Sequence, residues 1–453
     1  MTTFTIHALR QDDQKVLLHY DNQLSTLTWQ DGTPVVPVQP GTFRDATVVS
    51  VNQPGRKGQV RILKISLGLS CNYECSYCNQ RFVPHADASN PEDIEPFISQ
   101  LTDALIELPE RIEFWGGEPL VYWKTLKPLA ERLRGLYSEA QFSIITNGSL
   151  LDSAKNEWLD RLGFSVGLSH DGPGQSTRGP DPLKDPEKHT AIMDLYARLH
   201  PQGRISINAM LHENNRSRAD IQEWLKDHFG QDVRIGEGSF IDPYDSGGLA
   251  STLQSDADHI RFRAMSYKEL RLGKVASFKI GHQKIMDFVQ SIRTARPASA
   301  LGQKCGMDKA DSIAVDLHGN LLTCQNVSAA SIAPNGQLHG IGHVSNLQAV
   351  KMRTATHWSK RKDCSSCPVL QLCKGSCMFL EGPLWDAGCD AAYSDNVPFL
   401  AAAIEYLTGC IPYYIEGGFR EDRKDIFGEV CGVPEVATKR VIPILIQDQS
   451  VMT

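Results

Sequence analysis

Six repeats of a strand pattern followed by a helix pattern place the strongest restriction on how this chain folds. They run from Arg61 to about Pro243. Each repeat begins with a short run of β-branched and aromatic residues, as in RIEFW or FSIIT, and most continue with apolar residues at helical spacing. Alternating units of this kind predict a parallel sheet with helices outside it, as either an open sheet or an incomplete barrel. Ligands of such folds bind at the carboxyl ends of the strands.

The segments around these repeats carry weaker patterns. Short strands separated by turn residues fill the N-terminal part, and Gly and Pro become frequent over 34–58, which indicates a linker. The first helix of the repeats is expected to begin at Asn90 and to extend its apolar stripe to Leu108. The stretch 253–295 looks helical. The stretch 302–396 shows little periodicity, so bound metal is expected to supply much of its stability.

The 12 cysteines of this 453-residue chain fall into two groups. Three lie in CNYECSYC, at Cys71, Cys75 and Cys78, after the first predicted strand, and nine lie between Cys305 and Cys431. The N-terminus lacks the basic and apolar segments of a signal peptide, so we expect a cytoplasmic, reducing location in which disulfides are rare. Metal or cluster ligation is then the natural explanation. Three thiolates are one short of the four that hold structural zinc or an ordinary iron–sulfur cluster, which predicts an open position in the first group.

The charge and hydropathy of the chain argue against two classes of partner. Its 46 basic and 53 acidic residues give a net charge of −7, which offers no basic excess for nucleic acid. Its apolar runs are too short to span a bilayer. We therefore expect a partner that is neither nucleic acid nor membrane.

Polar residues and glycines follow several of the predicted strands. WGGEP follows the second strand, TNG the third and SHDGP the fourth. Paired glycines allow a backbone to approach a ligand closely, and a carboxylate can accept a hydrogen bond from an amine. The residues that this pattern gathers at one rim of the sheet are Gly116, Gly117, Glu118, Ser169, Arg178 and Asn208.

The C-x3-C-x-aromatic-C spacing and the GGEP motif together resemble the radical S-adenosylmethionine (AdoMet) enzymes. The resemblance implies that Cys71, Cys75 and Cys78 bind three irons of a [4Fe–4S] cluster and that AdoMet chelates the fourth. It implies reductive cleavage of AdoMet to a 5′-deoxyadenosyl radical, which abstracts hydrogen from a carbon. The residues implied to contact AdoMet are Tyr77, Gly116, Gly117, Glu118, Ser169, Arg178 and Asn208. From the residues alone, Arg178 could equally be a solvated loop residue, and Asn208 a strand residue bonded to backbone.

The second group of cysteines resembles the seven-cysteine pattern of the SPASM domain, which houses two auxiliary [4Fe–4S] clusters in some radical AdoMet enzymes. The resemblance implies that auxiliary cluster I is held by Cys305, Cys324 and Cys377. It implies that auxiliary cluster II is held by Cys364, Cys367, Cys373 and Cys389. A zinc ribbon built from the four cysteines of 364–377 is the alternative, but it leaves three of the seven unused. Cluster I has no evident fourth ligand, which Cys410 or Cys431 could supply, or its site could be open to substrate.

These resemblances cover about 61–396 and imply a division into four parts. The expected parts are a β-rich N-terminal domain over 1–60, a partial (β/α)6 barrel over 61–295, a SPASM domain over 296–400 and a tail over 401–453. The N-terminal strands TFTIHAL and KVLLHYD offer an edge at which a peptide could add as a further strand. A purely structural extension that covers the barrel is the alternative.

SPASM enzymes mostly modify peptides and proteins. The resemblance therefore implies a maturase that forms an oxidative crosslink or a related modification on a precursor peptide or protein, with an electron donor such as flavodoxin or ferredoxin. Sulfatase-maturating relatives, which make formylglycine, carry an Asp base directly after the second SPASM cysteine, where this chain has Gln325. Gln cannot take a proton, which counts against formylglycine formation. That reaction is therefore kept as the alternative. A catalytically silent iron–sulfur scaffold or electron carrier is a second alternative, which the AdoMet motifs disfavour.

Overall fold

A computed structural model of the protein describes residues 2–46, 59–87, 89–333, 336–350 and 356–428. Its strands are β1 Thr3–Leu9, β2 Lys15–Asp21, β3 Thr26–Trp29, β4 Ile62–Ser66, β5 Arg111–Trp115, β6 Gln141–Thr146, β7 Phe164–Ser169, β8 Ile205–Asn208, β9 Ile235–Glu237, β10 Ser312–Asp316, β11 Asn320–Leu322, β12 Gly340–His343 and β13 Ile411–Glu416. Its helices are α1 Ile94–Ala104, α2 Trp123–Leu136, α3 Ser153–Arg161, α4 Pro186–Leu199, α5 Arg218–Phe229, α6 Ser246–Ala250, α7 Asp256–Arg271, α8 Lys279–Thr294, α9 Leu370–Cys373 and α10 Gly382–Thr408. Within the described ranges, none of these helices combines the length and the apolar character that crossing a membrane requires.

The large sheet has the strand order β12-β11-β10-β4-β5-β6-β7-β8-β9. Neighbouring strands from β10 through β4 to β9 are parallel. Strand β11 pairs with β10, and β12 pairs with β11, both in antiparallel orientation. Strands β4 to β9 are the six that the sequence repeats predict, and α1 to α5 connect them. The prediction of an α/β fold with a partial (β/α)6 barrel is confirmed.

The strands of this barrel have one apolar face and one polar face. Side chains such as Ile65 and Phe114 are buried in a core that they share with helix residues such as Leu129. Lys64 and Glu113 lie between these apolar positions and pair in register on the opposite face. The inner face of the barrel is therefore polar, as a surface that binds polar ligands requires.

The small sheet has the order β13-β1-β2-β3, so β1 and β2 are its central strands. Each is paired on both sides, β1 with β13 and β2, and β2 with β1 and β3. The hypothesis that these two strands offer a free edge to a peptide is therefore wrong. Pairing of β1 with β13 also ties the N-terminal strands to a segment more than 400 residues away.

Two helices differ from the sequence predictions. Helix α1 ends at Ala104, and Leu108 lies beyond it with 70% of its surface exposed, so the apolar stripe is shorter than predicted. The 27-residue helix α10 begins within the region for which little periodicity was seen. It packs against α7, α8 and β13, and a helix that is buried nearly all round has no one-sided stripe to detect. The expected boundary at residue 400 falls inside α10, and the division into domains stays a prediction.

Candidate functional site

The cysteine loop, residues 71–78, follows β4 at the carboxyl edge of the large sheet. The chain leading into it runs beside the loop after β5, where the backbone N–H of Gly117 donates to the Gly68 carbonyl at 3.0 Å. A Cβ atom at Gly117 would lie 2.3 Å from the Leu69 carbonyl oxygen, and one at Gly116 would lie 3.0 Å from that of Gly68. The two glycines are thus required by the close approach of these loops to each other.

Glu118 is fully buried and connects three loops. Its backbone N–H donates to the Ser70 carbonyl at 3.0 Å. Its carboxylate accepts from the Thr146 hydroxyl at 2.7 Å, the Asn147 N–H at 2.7 Å and the Leu120 N–H at 3.1 Å. Burial raises the pKa of Glu118, and these donors oppose that rise. Glu118 therefore holds the rim of the sheet together, and its predicted contact with an AdoMet amine stays a prediction.

Asp171 is the centre of a buried polar cluster at the end of β7. It accepts from the Tyr77 hydroxyl and, at 2.8 Å, from the Met210 N–H. The Arg178 Nε lies 2.9 Å from its carboxylate, and the guanidinium lies 5.6 Å from the centre of the Tyr77 ring. Arg178 is therefore an ion-paired residue whose side chain is only 12% exposed, and not a solvated one. The sequence analysis missed Asp171 itself, although it lies in the SHDGP stretch.

The three thiols of the cysteine loop lie close enough for their charges to act on one another. Burial raises the pKa of Cys75 to about 12, and the Arg178 guanidinium opposes that rise. Backbone N–H groups two residues further along donate to the sulfurs of Cys71 and Cys78, each at 3.4 Å. A thiol as hard to ionise as that of Cys75 becomes a thiolate when iron replaces its proton, and the N–H donors at Cys71 and Cys78 would stabilise negative sulfurs there. The residues present therefore fit an iron–sulfur cluster.

Ser169 and Asn208 lie side by side at the ends of β7 and β8. Asn208 lines a cavity of about 350 Å³ inside the barrel, together with Glu113, Trp115 and Arg234. We call this cavity the barrel chamber. The structure places Asn208 in the chamber and Ser169 beside it at the rim, and their roles toward AdoMet stay predictions.

Gln325 reaches the inner face of the barrel from the cysteine-rich region. Its side-chain oxygen accepts from the Lys64 ammonium at 3.3 Å. The same ammonium lies 3.8 Å from the Glu113 carboxylate, which also accepts from the Trp115 indole N–H at 2.9 Å. Gln325 therefore presents an amide that is bound to a lysine, and its correspondence to the base of sulfatase maturases stays a prediction.

Site II consists of Cys364, Cys367, Cys373 and Cys389, whose side chains line one cavity. Burial raises the pKa of Cys367 to about 12. Burial also raises the pKa of Cys364, and the charges of the other three cysteines add to that rise. Arg423 donates to the Cys389 sulfur at 3.4 Å. Four converging thiols with a cation beside them fit a cluster with four protein ligands. Arg423 lies outside every sequence motif and was not predicted.

Site I consists of Cys305, Cys324 and Cys377. Burial raises the pKa of Cys324 to about 11, and the charge of Cys305 adds to that rise. Burial raises the pKa of Cys377 to about 12, and the charge of Cys324 adds to that rise. The Tyr244 hydroxyl donates to the Cys377 sulfur at 2.9 Å. Cys377 does not line the cavity of site II, and its thiol is close enough to Cys324 for their charges to interact, which argues against the zinc ribbon. Cys410 is buried at the start of β13, and Cys431 lies outside the described residues, so the fourth ligand of site I stays open.

All cysteines in the described ranges are free thiols. Within those ranges, no three His, Cys, Asp or Glu side chains are arranged to hold one metal ion. A [4Fe–4S] cluster binds each thiolate through a different iron, so its ligands lie further apart than those of a single ion.

Residues 65–225 match the model of the Radical SAM superfamily. Among curated proteins, the chain is 25% identical over 172 residues to the radical SAM cyclopropyl synthase TigE of Paramaledivibacter caminithermalis, covering 34% of this chain and 36% of TigE. It is 31% identical over 152 residues to the GTP 3′,8-cyclase of Pelotomaculum thermopropionicum, covering 32% of this chain and 45% of that protein. The chain therefore spans less than half the length of either relative.

Among solved structures, the chain is similar to anSMEcpe with bound AdoMet and the Cp18Cys peptide. The TM-score is 0.52 at 17% identity, and the match covers 76% of this chain and 99% of that one. At this identity the likeness shows the fold. The cysteine-rich region lies outside the superfamily match, so its assignment as a SPASM domain stays a prediction. Residues 65–225, which carry the cysteine loop and most of the partial barrel, form a domain of the radical SAM superfamily.

Proposed function

We propose that this protein is a radical AdoMet maturase that oxidises a precursor peptide. The observation that carries the proposal is the contact between the chain that follows the cysteine loop and the chain that follows Cys324 of site I. Gln80, just after the cysteine loop, donates to Asn326, just after Cys324, at 3.3 Å. The nearby Ser328 hydroxyl donates to the Pro84 carbonyl. Two sites that each lack a fourth cysteine therefore lie beside each other at one edge of the barrel.

A cluster on the cysteine loop, with AdoMet bound, would supply a 5′-deoxyadenosyl radical at this edge. The loop thiols would hold its irons, and the glycines of GGEP would keep the neighbouring loop close. The Asp171–Arg178 pair would keep the Tyr77 ring in place beside the loop. Peptide substrates are supported by the structural neighbour anSMEcpe, whose solved structure holds AdoMet and a peptide.

Site I separates this proposal from an electron carrier. The cluster of an electron carrier is ordinarily held by four thiolates, whereas site I has three among the described residues, with Cys305 exposed and Cys324 lining a surface pocket. A cluster at site I would supply one-electron oxidation next to bound substrate.

The test uses anaerobically reconstituted protein, a chemical reductant, AdoMet and candidate precursor peptides, taken first from any short reading frame beside the gene. We expect 5′-deoxyadenosine and a peptide lighter by about 2 Da, the mass of two hydrogens lost in a two-electron oxidation. The variant in which Cys71, Cys75 and Cys78 are all Ala should form neither. Absence of 5′-deoxyadenosine from fully loaded protein would contradict the proposal.

Formylglycine formation is the second candidate, supported by the fold that the chain shares with anSMEcpe. A Cys-type sulfatase peptide distinguishes the two, because Gln325 cannot act as a base. We expect wild-type protein to leave that peptide unmodified. Conversion of its Cys to formylglycine would make this candidate the correct one.

A further inference from the structure

A surface pocket of about 280 Å³ lies between the chain that follows the cysteine loop and the chain that follows Cys324. We call it the apolar pocket. Its walls come from residues within 79–84, 244–245, 324–332 and 379–384, together with His339. The side chains that make it apolar are Phe82, Val83, Val327, Ile332, Phe379 and Leu384.

The mouth of this pocket carries apolar side chains in water. Phe82 is 67% exposed and Ile332 is 63% exposed, and both line the pocket. Leu338 is 54% exposed and pairs with Ile332 through a β-bridge. Large apolar side chains that gather on one exposed patch commonly mark a binding surface.

The charges around the pocket restrict what it can bind. Asp245 is the one acidic or basic residue among the described residues that line it. Its carboxylate lies 3.4 Å from the Arg81 guanidinium and accepts from the Gly248 N–H at 2.7 Å. Burial lowers the pKa of His339 to about 4, which leaves this lining residue uncharged at neutral pH. The pocket therefore offers no unpaired charge to an acidic or basic side chain.

The pocket also reaches both the cysteine loop and site I. Asn79, which directly follows Cys78, lines one end, and Cys324 lines the pocket itself. Tyr244, whose hydroxyl donates to Cys377, lies in the same wall. A side chain seated here would hold the adjoining peptide next to site I.

We propose that the apolar pocket binds one large apolar side chain of the substrate peptide, of the size of Leu to Trp, and so selects and positions that peptide. The volume suits such a side chain, and apolar pockets with a few polar groups are the usual form of such sites. The inference rests on the proposed function, because it takes the substrate to be a peptide.

The test is photocrosslinking of the reconstituted, oxidised protein, which does not turn over. The probe is acetyl-Gly-Gly-X-Gly-Gly-amide with a diazirine-bearing leucine at X. Mass spectrometry should locate the label within 79–84 and 326–332. The same peptide with Trp at X should compete with the probe, and the peptide with Lys at X should not.

Phe82→Ser should lower labelling about tenfold, the effect of losing roughly 1.4 kcal/mol of apolar contact. Leu108→Ser is the matched control, since Leu108 is 70% exposed and lies outside the pocket, and it should label as the wild type does. Val327→Trp, which fills the pocket, should lower labelling as well. Thermal melts confirm that each variant is folded. If Val327→Trp does not fold, the comparison of Phe82→Ser with Leu108→Ser still decides the test.

Label scattered over the surface, equal competition by the Lys peptide, or equal loss in the Leu108→Ser control would overturn the inference. So would dimerisation that Phe82→Ser abolishes, because a second copy of the chain would then cover the pocket. Failure of AdoMet cleavage would refute the proposed function and leave the labelling result standing. A modified peptide with unselective labelling would refute the pocket alone.

Discussion

Sites I and II hold cysteines of the same region but differ in how the rest of the chain surrounds them. Site II has four thiols in one cavity, together with Trp385, Tyr393 and Arg423. Site I has three thiols, of which Cys305 is exposed and Cys324 lines the apolar pocket. A closed four-thiolate site suits structure and electron transfer, whereas a three-thiolate site beside open space suits contact with substrate.

Site II is also where distant parts of the chain meet. The Asn22 amide donates to the carbonyls of Cys367 at 2.7 Å and Ser365 at 3.2 Å. Gln371, on α9, donates back to the Asn22 carbonyl at 3.0 Å. The small sheet thus contacts site II through its N-terminal strands, and Arg423 contacts it from beyond β13. The comparison assigns site II mainly to the fold and site I mainly to the reaction.

The largest expected effect is a difference in protein stability between variants of site II and variants of site I. Cys364→Ala with Cys389→Ala should abolish the soluble, folded protein, because structural metal sites contribute on the order of 10 kcal/mol to folding. Cys305→Ala with Cys324→Ala should leave a folded protein. Soluble yield and thermal melting by circular dichroism measure both. Equal loss of folding in the two double variants would remove the distinction.

A smaller effect is expected where the N-terminal strands meet site II. Asn22 is fully buried, and Asn22→Ala leaves the Cys367 carbonyl without the Asn22 amide donor, whereas the Ser365 carbonyl still accepts from the Gln23 side chain at 3.0 Å. The free energy of unfolding should fall by about 1–3 kcal/mol, the cost of leaving buried polar groups unpaired. Asn214→Ala, at an exposed position, is the control and should be close to neutral. Urea unfolding measures both, and a neutral Asn22→Ala would show that the small sheet does not support site II.

The smallest effect concerns the electrostatics of site II. Arg423→Gln removes a cation 3.4 Å from the Cys389 sulfur, so reduction of a cluster there should become harder and its midpoint potential more negative. Arg420 forms ion pairs with Asp390 and Asp422 and does not line the cavity of site II, so Arg420→Gln is the matched control. Redox titration followed by electron paramagnetic resonance, in protein whose cysteine loop is changed to Ala, isolates the auxiliary signals. An unchanged potential in Arg423→Gln would contradict this role.

The sequence predicted features that depend on local pattern. Strands β4 to β9 and the helices between them follow from apolar periodicity, and the grouping of the cysteines follows from their spacing. The pairing of β1 with β13 could not be predicted, because it joins segments at opposite ends of the chain. The 27-residue α10 was missed because burial on most sides leaves no stripe. Asp171 and Arg423 act through partners that only the fold brings close.

The central claim is that site I serves the reaction and not the fold, and the mass of the peptide formed by Cys324→Ala tests it most directly. A precursor deuterated at its target carbon, incubated with AdoMet and reductant, reports cleavage and product in one sample. The account predicts that this variant, short of about four of roughly twelve irons, still transfers deuterium into 5′-deoxyadenosine. It also predicts that the peptide lacks the mass loss of about 2 Da that marks a two-electron oxidation. A folded Cys324→Ala protein that forms the oxidised peptide at the wild-type rate would contradict the account.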